Sequence, residues 1–192
     1  MIIRATHQTA FALLAGLLLT GATTAPQVYS LDPMDSSASA KVSFLGLGSK
    51  TAGFPNVSGT VRFDESMPDD VTLDLSIDAR ALTAGDGVTL RRLKSEKFFW
   101  VEKYPTVRFT GKQLEMTSPT KGTVTGQLTA RGVSRQQTFA VSFDKPPLTS
   151  VGEAINVVAS TTINRRDYGM KSYSLIVGRN VNITLKARLA PT

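Results

Sequence analysis

From Val71 to Asp78 the chain alternates without a fault: Val71, Leu73, Leu75 and Ile77 are apolar, and Thr72, Asp74, Ser76 and Asp78 are polar. A period of two sends successive side chains to opposite faces of an extended segment, so one face is dry and the other wet. Val181 to Leu189 repeats the pattern, and Phe139 to Asp144 repeats it more briefly. A sheet with one buried and one solvated face is the antiparallel kind.

The same reading finds further strands. Ser39–Leu47 carries Ala40, Val42 and Phe44; Gly53–Asp64 carries Val57, Val61 and Phe63, with a bulge or bend expected at Gly59. Pro105–Met116 carries Val107 and Phe109, Gly122–Arg131 carries Val124, Leu128 and Ala130, and Ala154–Asn164 carries Ile155, Val157, Ala159 and Ile163. Turn-forming clusters at 66–70, 118–122 and 145–147 separate them, giving about eight strands at hairpin spacing. One segment differs. Between Asp86 and Tyr104, Leu90, Leu93 and Lys97 fall at helical spacing, which predicts a short helix ending near Phe99-Trp100. It lies in the connection between the third and fourth strands, where it could close one end of a barrel. The predicted class is all-β. An eight-stranded antiparallel barrel removes exposed edges and holds side chains or one small ligand. A two-sheet sandwich is the structural alternative.

The N-terminus reads as an export segment. Arg4 precedes an apolar run from Phe11 to Leu19, and Ala22-Thr23-Thr24-Ala25 offers a small-residue cleavage site. Residues 1–25 are therefore expected to be a cleaved signal peptide and 26–192 a single domain. The only His, His7, falls inside that segment, and the chain has no Cys. A Ser-His-Asp triad, a Cys-His pair, a usual zinc site and haem or iron–sulfur ligation by these residues are then closed to the mature chain. No paired-carboxylate motif stands out, and alternation places Asp74 and Asp78 outside. No catalytic residue, metal or conventional cofactor is expected. Removing Arg4 takes the net charge from +7 to +6. The basic residues are spread too thinly for nucleic acid, while anionic lipid head groups are a compatible partner.

Several stretches run in order through the chain. They are Tyr29-Ser-Leu-Asp-Pro33, Gly59-Thr-Val-Arg-Phe-Asp64, Leu93 through Phe109, Gly126 through Val133, Thr162 through Met170, and Val177-Gly-Arg-Asn-Val181. Together they resemble the YceI-like family of polyisoprenoid-binding proteins, over about Tyr29 to Leu189. The resemblance implies a lipocalin-like eight-stranded barrel that holds a long isoprenoid amphiphile, of quinone or polyprenyl phosphate type. It also implies a periplasmic or secreted location in a Gram-negative bacterium. Many relatives carry an Arg-Asp-x-His-Leu run before the Phe-Phe segment. Here Thr89-Leu90-Arg91-Arg92-Leu93 stands in that place, which puts the head-group preference in doubt and leaves the apolar body of the site intact.

On this reading the apolar lumen and mouth are built by Phe44, Phe63, Leu73, Leu75, Ile77, Phe98, Phe99, Phe109, Leu128, Phe139, Val141, Phe143, Ile163 and Tyr168. Core packing explains the same strand positions, and inward residues of a barrel do both jobs. Trp100 and Tyr104 join Phe98 and Phe99 as an expected aromatic lip. Arg92, Asn164 and Arg165 are candidate head-group contacts. Asp167 is expected to pair with Arg165 and Arg166 and so fix a turn ending at Gly169. Arg91, Arg92, Lys94 and Lys97 form a basic helix face, read first as a solvated surface and second as a surface for transient docking on anionic lipid of a membrane, a phosphate head group or a membrane protein. The oligomeric state stays open, a homodimer included. The competing function is an envelope interaction module: a barrel packed by its own side chains that docks a membrane redox or stress-response partner.

Overall fold

The computed structural model describes residues 26–64 and 67–192; the expected signal peptide, 1–25, lies outside the described residues. The strands are β1 (Gln27–Leu31), β2 (Ser37–Phe44), β3 (Gly48–Phe54), β4 (Val57–Asp64), β5 (Met67–Asp78), β6 (Thr83–Ala84), β7 (Thr106–Ser118), β8 (Lys121–Ala130), β9 (Val133–Phe143), β10 (Ile155–Asn164) and β11 (Val177–Pro191). One helix, α1 (Gly87–Lys94), and two short 3-10 turns, at Ala79–Ala81 and Arg165–Tyr168, complete the elements.

All pairings are antiparallel, and eight strand positions close on themselves. β4, β5, β7, β8, β9, β10 and β11 follow one another around the ring, and β1 joins β11 to β4. Leu31 sits opposite Leu189, and Tyr29 opposite Val61. β2 continues the β1 position along β11, with Ala40 opposite Ile183, and β3 continues the β4 position, with Ala40 opposite Ala52. The molecule is thus an eight-stranded antiparallel barrel in which the first two strand positions are each bent into two pieces. Closure leaves no long unpaired edge, and a sandwich is ruled out.

Several boundaries differ from those read in the sequence, each for a local reason. The single strand expected over Gly53–Asp64 breaks at Pro55-Asn56, since proline has no N–H to give a ladder. Gly59 carries no bulge: it pairs with Leu75 in regular register, and the irregularity falls between Phe63 and Asp64. What Gly59 supplies is room, because a Cβ there would meet the Asp74 carbonyl oxygen at 2.4 Å. β9 begins at Val133, where the polar run Ser134–Thr138 hides the strand from pattern reading. β1 escapes the alternation because only Tyr29 and Leu31 in it are buried.

α1 stands between β5 and β7, the third and fourth strand positions. It is shorter than expected. Asp86 caps its N-terminus by accepting the Thr89 N–H, and Ser95 ends it after Lys94. Phe98, Phe99 and Trp100 lie in the following turns. None of the α1 residues is buried, so the helix roofs one end of the barrel without belonging to its core. The opposite end is shut by Tyr29, whose ring meets Phe63 edge-on at 5.7 Å and whose hydroxyl accepts the Gly152 N–H at 3.0 Å.

Candidate functional site

The inward faces of the strands enclose an apolar cavity of about 210 Å³. Apolar cavities of ~150 Å³ stay dry and take up small apolar guests, so this one is large enough to hold part of a hydrocarbon chain. It arises from an asymmetry between walls. Leu75, Phe109 and Leu128 stand in one row across β5, β7 and β8, and Phe139 meets Phe109 edge-on at 4.9 Å. Across the lumen several inward positions are small, namely Ala38 and Ala40 on β2, Ala52 on β3, Ala159 on β10 and Ala187 on β11, interspersed with larger ones such as Phe54, Ile183 and Leu185. Large side chains on one wall facing methyl groups on the other leave unfilled space. Leu73, Ile77, Val107, Val181, Ile183 and Leu185 line that space and keep part of their surface exposed, although they point into the barrel.

The predicted lumen residues are mostly brought together. Phe63, Leu73, Leu75, Ile77, Phe109, Leu128, Phe139, Val141, Phe143 and Ile163 line the cavity from the strands, and Phe98 and Phe99 line it from the turn after α1. Others are placed elsewhere. Phe44 shares the inward face of β2 but lies beyond the cavity, with the Lys50 ammonium 5.5 Å from its ring centre. Tyr168 is fully buried behind the wall, not on it. Its hydroxyl has no hydrogen-bond partner among the described residues, and burial raises its pKa above the usual tyrosine value, with nearby Gln137 opposing. Trp100 and Tyr104 pack edge-on against each other outside, with Lys103 over both rings, and form no lip.

The three expected head-group contacts separate. Arg92 lies outside the cavity, its guanidinium 5.1 Å above the Tyr173 ring. Asn164 caps the 3-10 turn by accepting the Arg166 N–H. Arg165 alone reaches the wall. It is 2% exposed, and it donates to the backbone carbonyls of Gly178 (2.8 Å), Val177 (2.9 Å) and Met170. Phe98 lies under the guanidinium at 5.8 Å. Desolvation, with repulsion from Arg166, lowers its pKa from the ordinary arginine value. The expected Asp167 pair does not form: among the described residues no carboxylate lies within 4.0 Å of Arg165 or Arg166. The turn is fixed instead by the Asn164 cap and by Gly169 at φ 76°, a left-handed position suited to glycine. The guanidinium thus sits at the wall of the apolar lumen, bonded to backbone carbonyls.

The carboxylates that a pocket enzyme would need face out. Asp74 is paired with Arg108 at 2.6 Å and Asp78 with Arg80 at 2.9 Å, both on the solvent side. Those hydrogen bonds lower both carboxyl pKa values. Among the described residues no group of three or more His, Cys, Asp or Glu is placed to hold a metal ion.

The side chains around the mouth, Val42, Lys50, Thr89, Leu93 and Val177, are all partly exposed. Three contacts tie its frame together. Lys50 on β3 bonds Asp86 at the α1 cap (2.8 Å), Arg92 and Lys97 lie over Tyr173, and the Leu45 N–H donates to the Ile176 carbonyl at 2.7 Å. The Lys50 hydrogen bond and the Thr89 amide and hydroxyl hold Asp86 far below the usual carboxylate range. Pattern reading missed the alanine wall. Its one signal was the run of small residues at alternate positions, Ala38 and Ala40, opposite Ala52.

Comparison with known proteins agrees with this architecture. A UPF0312 protein of Pseudomonas putida is 29% identical over 134 residues, covering 68% of this chain and 69% of that protein. BcnA of Burkholderia cenocepacia superposes with a TM-score of 0.71 at 21% identity, over 82% of this chain and 98% of BcnA. A polyisoprenoid binding domain from Saccharophagus degradans superposes with a TM-score of 0.64 at 16% identity, over 85% and 98%. At these identities the two structures establish the fold. The YceI-like domain family model matches residues 29–189, nearly all of the barrel, and the chain therefore belongs to the YceI-like domain family.

Proposed function

We propose that the protein binds a long isoprenoid amphiphile of quinone or polyprenyl phosphate type inside the barrel, for carriage, storage or sequestration, and that it works outside the cytoplasm. The observation that carries this reading is the hollow lumen, with apolar walls and Arg165 as the one charge, among the described residues, buried beside it. Removing a hydrocarbon chain from water is worth about 0.8 kcal/mol per CH₂ unit. Of the five N–H groups on a guanidinium, Arg165 uses three on backbone carbonyls, leaving donors for a carbonyl or phosphate oxygen. The cavity favours a binding protein over a barrel packed by its own side chains. The name of the Saccharophagus degradans domain points to the same ligand class, and the N-terminal leader pattern supports export.

Native mass spectrometry of gently purified protein tests the reading. A co-purifying lipid mass is expected, or uptake of an added polyprenyl phosphate or quinone by lipid-free protein. A clean lipid-free mass with no uptake of either would remove the proposal.

A further inference from the structure

The mouth of the cavity is framed by the β2–β3 hairpin, by α1 with its flanking turn, and by the segment leading into β11. Residues 41–50, 86–97 and 170–179 make up this frame and hold eight Lys or Arg against two acidic residues, Asp86 and Glu96. Elsewhere in 26–192 there are thirteen basic and thirteen acidic residues. The frame thus carries a net +6, while the charges of the remaining residues of 26–192 cancel.

The same frame exposes leucines. Leu47 and Leu175 are 98% and 101% exposed, Leu45 is more than half exposed, and Val88 on α1 is half exposed. Leu45 is also poorly suited to its backbone. It sits at φ 54° beside Gly46 at φ 69°, in a tight turn that favours Asn or Gly at such positions. A γ-branched apolar residue there adds backbone strain and buries little in return. Its hydrogen bond to Ile176 uses only the main chain, so the side chain is dispensable to the fold.

We propose that this end of the protein docks on an anionic phospholipid bilayer, with Leu45, Leu47 and Leu175 entering the head-group layer and the basic residues on lipid phosphates. Apolar tips within a basic ring are the arrangement that such a surface retains, each nearby Lys or Arg adding attraction and each buried leucine adding transfer energy. Docking holds the mouth against the bilayer. The passage of an isoprenoid chain between bilayer and lumen rests on the function proposed above; the docking itself does not.

Co-sedimentation with phosphatidylcholine vesicles containing phosphatidylglycerol tests the surface. The purified protein is expected to pellet with these vesicles, to be released by high salt, and to ignore pure phosphatidylcholine. Two variants sharpen the result. Arg91→Glu with Lys171→Glu, at positions with no side-chain hydrogen bond or ion pair among the described residues, is expected to reduce partitioning by about tenfold or more. Leu45→Asn with Leu47→Ser and Leu175→Ser is expected to reduce it comparably, while thermal stability holds or rises because Asn relieves the turn. Uptake of detergent-dispersed isoprenoid lipid is measured in parallel and is expected to persist in both. No binding to the anionic vesicles, or wild-type binding by either variant, overturns the docking surface. Vesicle binding without lipid uptake supports the surface and removes the lumen reading; uptake without vesicle binding does the reverse.

Discussion

At the β1–β11 end of the barrel the ring of Tyr29 lies against Phe63, its hydroxyl is satisfied by Gly152, and Leu114 and Ile155 beside it have no more than 1% exposure. At the α1 end the roof is a helix with no buried residue, fastened by an exposed ion pair and by cation–aromatic contacts. The first end is built as a protein core, where close packing makes any change in volume costly. The second rests on partly buried Leu90, Leu93 and Phe99 and on polar contacts that water and ions can compete for. The two ends share the same strands, so the contrast comes from the side chains that cover them. Opening is therefore expected where the cover is weakest.

The largest effect that tests this contrast is Tyr29→Ala. Truncating a buried aromatic residue is expected to cost about 3–5 kcal/mol, read by urea unfolding. Phe99→Ala, under the roof and only partly buried, is expected to cost markedly less while changing ligand uptake. Equal losses at the two positions would erase the distinction. Arg165→Lys comes next. A single ammonium cannot span the three carbonyls that the guanidinium bonds, and leaving buried acceptors unpaired is expected to cost about 1–3 kcal/mol. This end would then have one rigid post beneath a loose roof.

A smaller effect on stability, with a larger one on binding, is expected from Ala40→Phe. In a filled core such an insertion costs about 1–3 kcal/mol. Projecting from the alanine wall into the unfilled lumen, it is expected to be near neutral in thermal unfolding and to abolish lipid uptake. A large destabilisation without a lipid phenotype would mean that the wall is already packed.

The smallest effect concerns pH. Asp86 has a depressed carboxyl pKa in the folded state, so its contribution is present above the ordinary carboxylate value of 3.8 and is lost as pH falls below it. Acidification in that window is expected to loosen α1, seen as faster amide exchange at Thr89 and Leu90 and a change in Trp100 fluorescence. Asp74 and Asp78 are depressed as well, so global stability falls in the same range. Asp86→Asn keeps a capping side chain and removes the ion pair. It is expected to show the loosened helix already at neutral pH. If α1 exchange in that variant matches wild type, the latch is decorative.

The alternation at Val71–Asp78 and Val181–Leu189 was enough to predict strands and their inward faces, because burial of one face is a property of each strand alone, whereas closure is a property of the whole set and left a sandwich open. Phe109 and Val107 face inward as the pattern predicts. The site was less legible, because a cavity is a difference between walls. Ala159 and Ala187 read as ordinary strand filler until β10 and β11 are set opposite Leu75 and Phe109. Arg165 is similar. Its neighbours in sequence, Arg166 and Asp167, suggested an ion pair, whereas its partners are carbonyls of Met170, Val177 and Gly178 that reach it only once the chain turns back into β11. Phe44 satisfied the pattern and still missed the lumen, since alternation fixes a side of the sheet and says nothing about depth along the barrel axis; Tyr168, in the turn after β10, had no strand pattern to place it.

The seam between Tyr29–Leu31 and Leu189–Pro191 carries a kinetic consequence. Hairpin pairing can zip the strands from β4 to β11 one neighbour at a time, but the ring stays open until two segments from opposite ends of the described chain find each other. Contacts so distant in sequence are the slowest to form. Until then β4 and β11 each present a raw edge to any other chain. Deleting residues after Ala187 would remove the β1–β11 rungs and slow closure, leaving only the β2–β11 pairing to hold the seam. The loss would appear first as self-association during refolding, growing with protein concentration, before any change in the melting temperature of the fraction that closes.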